Sequence, residues 1–462
     1  MAEVSNEELS LGKIVAETFL KQRQLREHIL NERPQWMPLE LRPHSGTYRW
    51  DDDKNLVEFP FVNTETSDES GYVIVSADRS LTPVIEYTTE GMPFSEVLQD
   101  QLRSALTRSS LDAEDTALYY WNGAGITAKV TLRGQTDPVF IEFPTMKTTP
   151  VPATTRITRD ASKYWKDDDL REFWESIDKW NLETDPKELS ELLGNITLPP
   201  AVTLNHRSAV RYQQACRSYP KGTACAIDPK GSGHYCAPRE IAGCGPVAWA
   251  MLASAWKHTT YAGSDNIWRG STDWNLDWFS FGGQQDPSRS QVVSDAIWEF
   301  HRLCGTDANG STSYGDMLEG RKFFEQQGVS GDRWPWAQHG FSYDWTKITI
   351  NSDQPFIFIA QGQWNKYLNE EILSQKADES ERGSAGHAVI VNGYDSNQGN
   401  RIRVCLGWGM GFQDRVIDSN LFDDKDMIYL GRKSGLITIP IDCHNPKYFM
   451  DTTKKQSSQT PN

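Results

Sequence analysis

The sequence predicts an α+β protein in two unequal parts, and three observations predict it. Amphipathic helical stretches at residues 8–33 and 94–109 alternate with short apolar runs of strand length. A Thr- and Pro-rich stretch at 145–158 and a polar one at 199–208 then interrupt that texture. From about residue 213 to 443 glycine and tryptophan are densest, and the motifs that carry chemistry fall there. A chain of 462 residues has room for two or three domains.

Each element follows from local pattern. In residues 8–33, Leu11, Ile14, Val15, Leu25 and Ile29 recur near helical spacing among charged neighbours. The Arg33-Pro34 step ends that helix. Strands are expected at 56–62, 72–77 and 83–87, separated by Asp51-Asp52-Asp53 and the turn-rich 66–71. Residues 94–109 read as helix, and 126–132 and 139–143 as strands. Residues 160–193 are charged, with Trp165, Phe173, Trp174, Ile177 and Trp180 at helical spacing. The division expected is an α+β domain at 1–145, a linker with a helical segment at 146–208, a catalytic domain at 209–450 and a flexible tail at 451–462.

Charge narrows the function. The net charge is −16, the wrong sign for a generic nucleic-acid surface or an anionic membrane. No apolar run approaches the roughly 18 residues of a spanning helix, so no membrane insertion is expected. Residues 1–10 lack the basic and apolar regions of a signal peptide. Seven cysteines occur, at 216, 225, 236, 244, 304, 405 and 443, with no C-x-x-C spacing. A structural zinc site is therefore not expected, nor any metal or cofactor.

The strongest motif is Gly243-Cys244-Gly245-Pro246, followed by an Ala- and Met-rich run to Trp256. Pro246 suits the first turn of a helix, where its missing N–H costs nothing. Cys244 then sits at a helix N-terminus, where orphan N–H groups and the macrodipole stabilise a thiolate. The competing reading is a small buried cysteine opening a core helix. His387 follows the small-residue loop Gly383-Ser384-Ala385-Gly386 and opens an apolar, strand-like run. A histidine at a strand end suits a general base, although a lone histidine is often structural. Each motif strengthens the other, because a cysteine nucleophile needs a partner to take its proton and later protonate the leaving amine.

Two further parts are expected. A turn at 395–400 folds the histidine strand against 401–408, bringing Cys405 to Trp408 opposite His387. An Asn is expected there to orient the imidazole, and Cys405 stands instead. Upstream, Gln214, with Gln213 as the alternative, offers an amide to an oxyanion beside the Cys244 N–H.

These residues resemble the streptopain family of papain-like cysteine peptidases, in ordered pieces over most of the chain. Gly71 to Asp78, Pro83 to Tyr87 and Glu90-Gly91 are similar to the family's propeptide. Tyr212-x-Gln214 resembles its oxyanion segment, and Cys244-Gly245-Pro246 to Met251 its nucleophile helix. Residues 300–315 resemble the segment between nucleophile and histidine. Residues 355–361, then Gly386-His387-Ala388 to Gly393, resemble the histidine strand and the one before it. Gly407-Trp408-Gly409 resembles the closing motif. The resemblance implies a papain-like catalytic domain held as a zymogen by its own N-terminal domain, an intramolecular inhibitor. It implies protein or peptide substrates and a secreted or extracellular setting.

Three departures stand out. The family's Asn-Trp-Gly-Trp-Gly-Gly is Cys405-Leu406-Gly407-Trp408-Gly409-Met410 here. Residues 364–382 form an insertion ahead of the histidine loop, and the 145–208 connection is long. Losing an orienter questions rate more than reaction class. The expected function is thus a cysteine endopeptidase working through a Cys244 acyl-thioester. The alternatives are a degenerate peptidase fold used for binding or inhibition, and an acyl-transfer enzyme, a transpeptidase or deamidase.

Overall fold

Local signals at the N-terminus are strong enough to build the first layer. Helix α1 (Asn6–Leu30) opens on a reciprocal cap. The Glu8 N–H donates to Ser5 Oγ at 3.2 Å, and the Ser5 N–H donates to Glu8 Oε2 at 2.8 Å. The computed structural model describes residues 4–30, 36–182 (apart from 90, 109, 123–124, 144–146 and 152), 201–203, 217–218, 223–224, 242–258, 297–326 (apart from 308–309), 335–351 (apart from 340), 355–361, 386–406 (apart from 397–398) and 415–430.

Nine strands follow α1 in the first part of the chain. They are β1 (Leu39–Leu41), β2 (Gly46–Arg49), β3 (Asn55–Asn63), β4 (Glu69–Ser76), β5 (Val84–Thr88), β6 (Ala113–Asn122), β7 (Gly125–Leu132), β8 (Val139–Phe143) and β9 (Lys147–Pro150). Helix α2 (Phe94–Arg108) lies between β5 and β6. Most of β3 and β4 is buried on both faces, which explains their near-continuous apolar runs. One face, with Val57, Phe59, Val73 and Val75, packs against Val15, Ala16 and Phe19 of α1. The other, with Leu56, Tyr72 and Ile74, packs with Phe94, Leu98 and Leu102 of α2.

Two segments differ from expectation. Strand β6 carries exposed Glu114 and Asp115 in its first three residues, and that polar start conceals it from an apolar-run criterion. The Thr- and Pro-rich stretch is no free connection: β9 lies within it and pairs with β8. Val151 and Ile157 are buried with Tyr119, Trp121 and Phe140. Helix α3 (Asp167–Leu182) then starts on three aspartates, which favour a helix N-terminus. Trp174 of α3 donates its Nε1–H to the Leu81 carbonyl at 2.8 Å.

Helix α4 (Cys244–His258) is the centre of the second part. It is apolar all round because it is buried all round: Val247 to Ala253 show almost no exposure. The strands here are β10 (Ala201–Thr203), β11 (Arg217–Ser218), β12 (Thr223–Ala224), β13 (Pro335–His339), β14 (Phe356–Gln361), β15 (Gly386–Asp395), β16 (Arg401–Cys405), β17 (Arg415–Asp418) and β18 (Asp423–Leu430). β11 and β12 form a separate ribbon. Residues Ala248, Trp249 and Leu252 pack with Ile357 of β14 and Ala388 and Ile390 of β15.

Among the described residues, sixteen strands join in one sheet. Its order is β13-β18-β14-β15-β16-β17-β5-β4-β3-β2-β6-β7-β8-β9, with β1 beside β3 and β10 beside β15. Only β2 and β6 pair in parallel within that sheet. The two parts of the chain therefore meet edge to edge, where Val416 and Ile417 of β17 pair with Tyr87 and Glu86 of β5. The largest core cluster draws on both sides of that join. Among the described residues no helix is long and apolar enough to cross a membrane.

Candidate functional site

The sequence makes Cys244 the first residue of α4, and the backbone ahead of it is fixed by packing. Gly243 has φ +87°, and a Cβ there would lie 2.7 Å from the Gly310 carbonyl oxygen and 2.9 Å from Thr306. Only glycine meets both conditions. A Cβ on Gly245 would lie 2.6 Å from Met317 Sδ. Residues 301–317 thus form a cradle under the turn into the helix. His301 Nδ1 lies 3.0 Å from the Ala242 carbonyl, and its ring stacks on Trp298 at 4.2 Å. A carbonyl only accepts, so Nδ1 carries the proton. Trp249 closes the cradle by donating to the Met317 carbonyl at 2.8 Å.

His387 is the second residue of β15, and α4 packs across that strand. The chain thereby brings Cys244 beside the histidine strand. The Ala388 N–H, next to His387, donates to Cys244 Sγ at 3.5 Å. The N–H groups of Gly245 and Cys244 itself also favour the thiolate. Burial outweighs all three and pushes the thiol up from its ordinary value. The stabilisation expected of the helix start is thus opposed here by desolvation of the sulfur.

The imidazole is neutral for the same reason. Burial pushes His387 down to about 3, against the opposing pull of one carbonyl. That carbonyl belongs to Leu406, 3.0 Å from Nε2. Since Nε2–H must donate to it, Nδ1 is the basic nitrogen. Burial thus shifts both groups toward their neutral forms, the thiol of Cys244 upward and the imidazole of His387 downward.

The expected hairpin forms between β15 and β16, with Cys405 paired to Ile390 and an irregularity between Val391 and Gly393. In this register the group seen on Nε2 is the main chain of Leu406, one residue beyond Cys405. Cys405 is buried within the apolar cluster of Ala388 and Ile390. The orienting role expected at Cys405 thus has a main-chain candidate next to it. Cys304 is free and buried in the same cluster, its thiol pushed up to about 12 by desolvation. Gln214, Gln213 and Trp408 lie outside the described residues, as do Cys216, Cys225, Cys236 and Cys443.

Three contributors escaped the sequence reading: the Ala388 N–H, the Leu406 carbonyl and His301. Two are main-chain groups, which every residue type carries, so no side-chain pattern marks them. His301 had a weak signal, a histidine in an aromatic helical run with Trp298 and Phe300.

No family model matches the chain, and no curated protein matches it by sequence. Among solved structures, a fragment of Prevotella intermedia prointerpain A is similar at TM-score 0.37 and 11% identity. The match covers 84% of this chain and 98% of that one. A likeness so loose carries no argument about activity, which rests on the residues themselves.

Proposed function

We propose that the chain is a papain-like cysteine endopeptidase of streptopain type, made as a zymogen. The observation that carries this reading is the seating of Cys244. Its sulfur opens a buried helix and accepts the N–H next to His387, whose far nitrogen is engaged by Leu406. Protein or peptide is the substrate, and the N-terminal part of the chain is the intramolecular inhibitor.

In the reaction, His387 Nδ1 takes the thiol proton as Cys244 Sγ attacks the scissile carbonyl carbon. Negative charge gathers on the carbonyl oxygen, where the Cys244 N–H donates. Gln214 is the proposed second donor. The imidazolium returns the proton to the leaving amine, which departs and leaves a thioester. Water, deprotonated by His387, attacks the thioester and releases the acid. The Leu406 carbonyl keeps Nε2 protonated, so that Nδ1 carries the lone pair whenever the imidazole is neutral. A neutral, desolvated pair is a latent arrangement, and access of water or substrate would raise the imidazole back toward its ordinary value.

A second reading is favoured by the same burial: a degenerate fold that binds or inhibits and never forms the ion pair. Intact mass of the reduced protein over time, wild type beside Cys244→Ala, tests the choice. Conversion of the denatured chain into two pieces, one of roughly the first third to half, is expected in wild type alone. Two unchanged masses, with no labelling of Cys244 by a substrate-like electrophile after cleavage by another protease, would sink the peptidase reading.

A further inference from the structure

The join between the two parts of the sheet is built like a core, not like a docking surface. Strand β17 continues the ladder of β5. Around it, charged groups from one side are buried against groups from the other. Arg415 and Glu86, both fully buried, form an ion pair across the join. Glu86 also accepts from Tyr72 and Tyr120 at 2.7 Å each. Arg401, fully buried, donates to the main-chain carbonyls of Val84 and Ile85. Asp395 meets Arg23 of α1 at 2.6 Å and also accepts from the Tyr87 hydroxyl. Trp165 donates to Asp418 at 2.8 Å. Between these links, Ile402, Val404 and Ile417 share an apolar cluster with Tyr72, Ile74 and Ile85.

Separation would cut that cluster open and leave the edges of β17 and β5 without partners. The charged groups would regain water, but only at the cost of exposing the apolar surface they surround. An inhibitor that departs must leave behind a surface that is stable in water. This boundary instead buries its charged pairs among apolar side chains, as a permanent interface does. The polar links add specificity, since each finds its partner in a single register.

We propose that residues 4–182 are a permanent part of the protein: cleavage of the chain between Leu182 and Ala201 nicks it without releasing the N-terminal part. Helix α3 stays with the N-terminal part through Trp174 and the Arg79–Asp178 ion pair at 2.7 Å. Strand β10 stays with β15, to which it pairs. Any relief of inhibition then comes from freeing the cut ends, not from losing the whole N-terminal part.

The test uses the full chain carrying Cys244→Ala, so that the result is independent of any activity. A recognition site for a site-specific endoprotease is inserted between Leu182 and Ala201, and the cut product is examined by gel filtration and native mass spectrometry. The expected result is one species with the mass of the uncut chain, which resolves into two fragments only in denaturant. A second preparation with Arg415→Met added should lose some of that retention on dilution. Free fragments from the first preparation, or one fragment in solution with the other aggregated, would overturn the proposal.

Discussion

At the residue scale, the imidazole of His387 is held by a main-chain carbonyl, and that changes what substitution can achieve. An Asn at position 405 would enter the apolar cluster of Ala388 and Ile390. The amide is larger than the thiol it would replace, and overpacking a filled core costs about 1–3 kcal/mol. Cys405→Asn is therefore expected to lower stability by that order and leave turnover no higher, measured by urea unfolding and a peptide-cleavage assay. His387 itself makes a pH-dependent contribution whose sign is fixed. Its folded value is about 3, below the ordinary 6.5, so between those limits the unfolded chain binds a proton that the folded chain refuses. Stability is intact above pH 6.5 and falls by up to about 1.4 kcal/mol per pH unit as pH drops toward 3. His387→Gln, whose amide can still donate to Leu406, should remove that part of the slope. Equal slopes in the two proteins from pH 6.5 to 4 would show that the imidazole is solvated. Cys244 and His387 were legible in the sequence because residue type and spacing announce them. The Leu406 carbonyl was not, since it depends on a one-residue detail of strand register.

At the element scale, the nucleophile helix is positioned from outside itself. The turn at Ala242 and Gly243 is held by His301 and by the close approach of Gly310. An Asn amide reproduces the donor of His301 Nδ1, while Leu keeps bulk and loses it. His301→Leu is expected to slow iodoacetamide alkylation of Cys244 by about five- to tenfold, the equivalent of one hydrogen bond. His301→Asn should retain most of the wild-type rate. Equal losses in both variants would assign His301 to packing alone. Elements with strong periodicity were readable in advance: α1, α2, α4 and the β15–β16 hairpin fall close to where the pattern puts them. The 145–158 stretch reads as a linker yet contains β9, because Thr and Pro serve in loops and in edge strands. What decides between them is the packing of Val151 and Ile157 against Tyr119, Trp121 and Phe140, and that is tertiary.

At the scale of the whole molecule, the joining of the sheet was invisible in the sequence. Glu86 and Arg415 are 329 positions apart, and nothing local marks either as a partner of the other. Glu86 even sits in an apolar run, where a lone acid reads as a solvent-facing residue. Yet both are fully buried, so the pair ties the stability of one part to that of the other. Arg415→Met would leave Glu86 with two tyrosine hydroxyls and no countercharge, at a cost of roughly 3–5 kcal/mol. Glu86→Gln would leave the guanidinium buried over Phe94, 3.8 Å from its ring, facing a neutral amide, at a cost of similar order. Combining the two removes both charges at once. The double variant should then lose less than the sum of the single losses, by about 1–3 kcal/mol, because no charge is left unpaired. Tryptophan fluorescence and far-ultraviolet dichroism in urea report the two parts differently. Wild type should unfold in one transition by both probes, and each single variant in two. Single losses that add to within about 0.5 kcal/mol, with coincident transitions in every variant, would show that the cooperativity of the molecule runs through the apolar cluster and the strand ladder, without help from the ion pair.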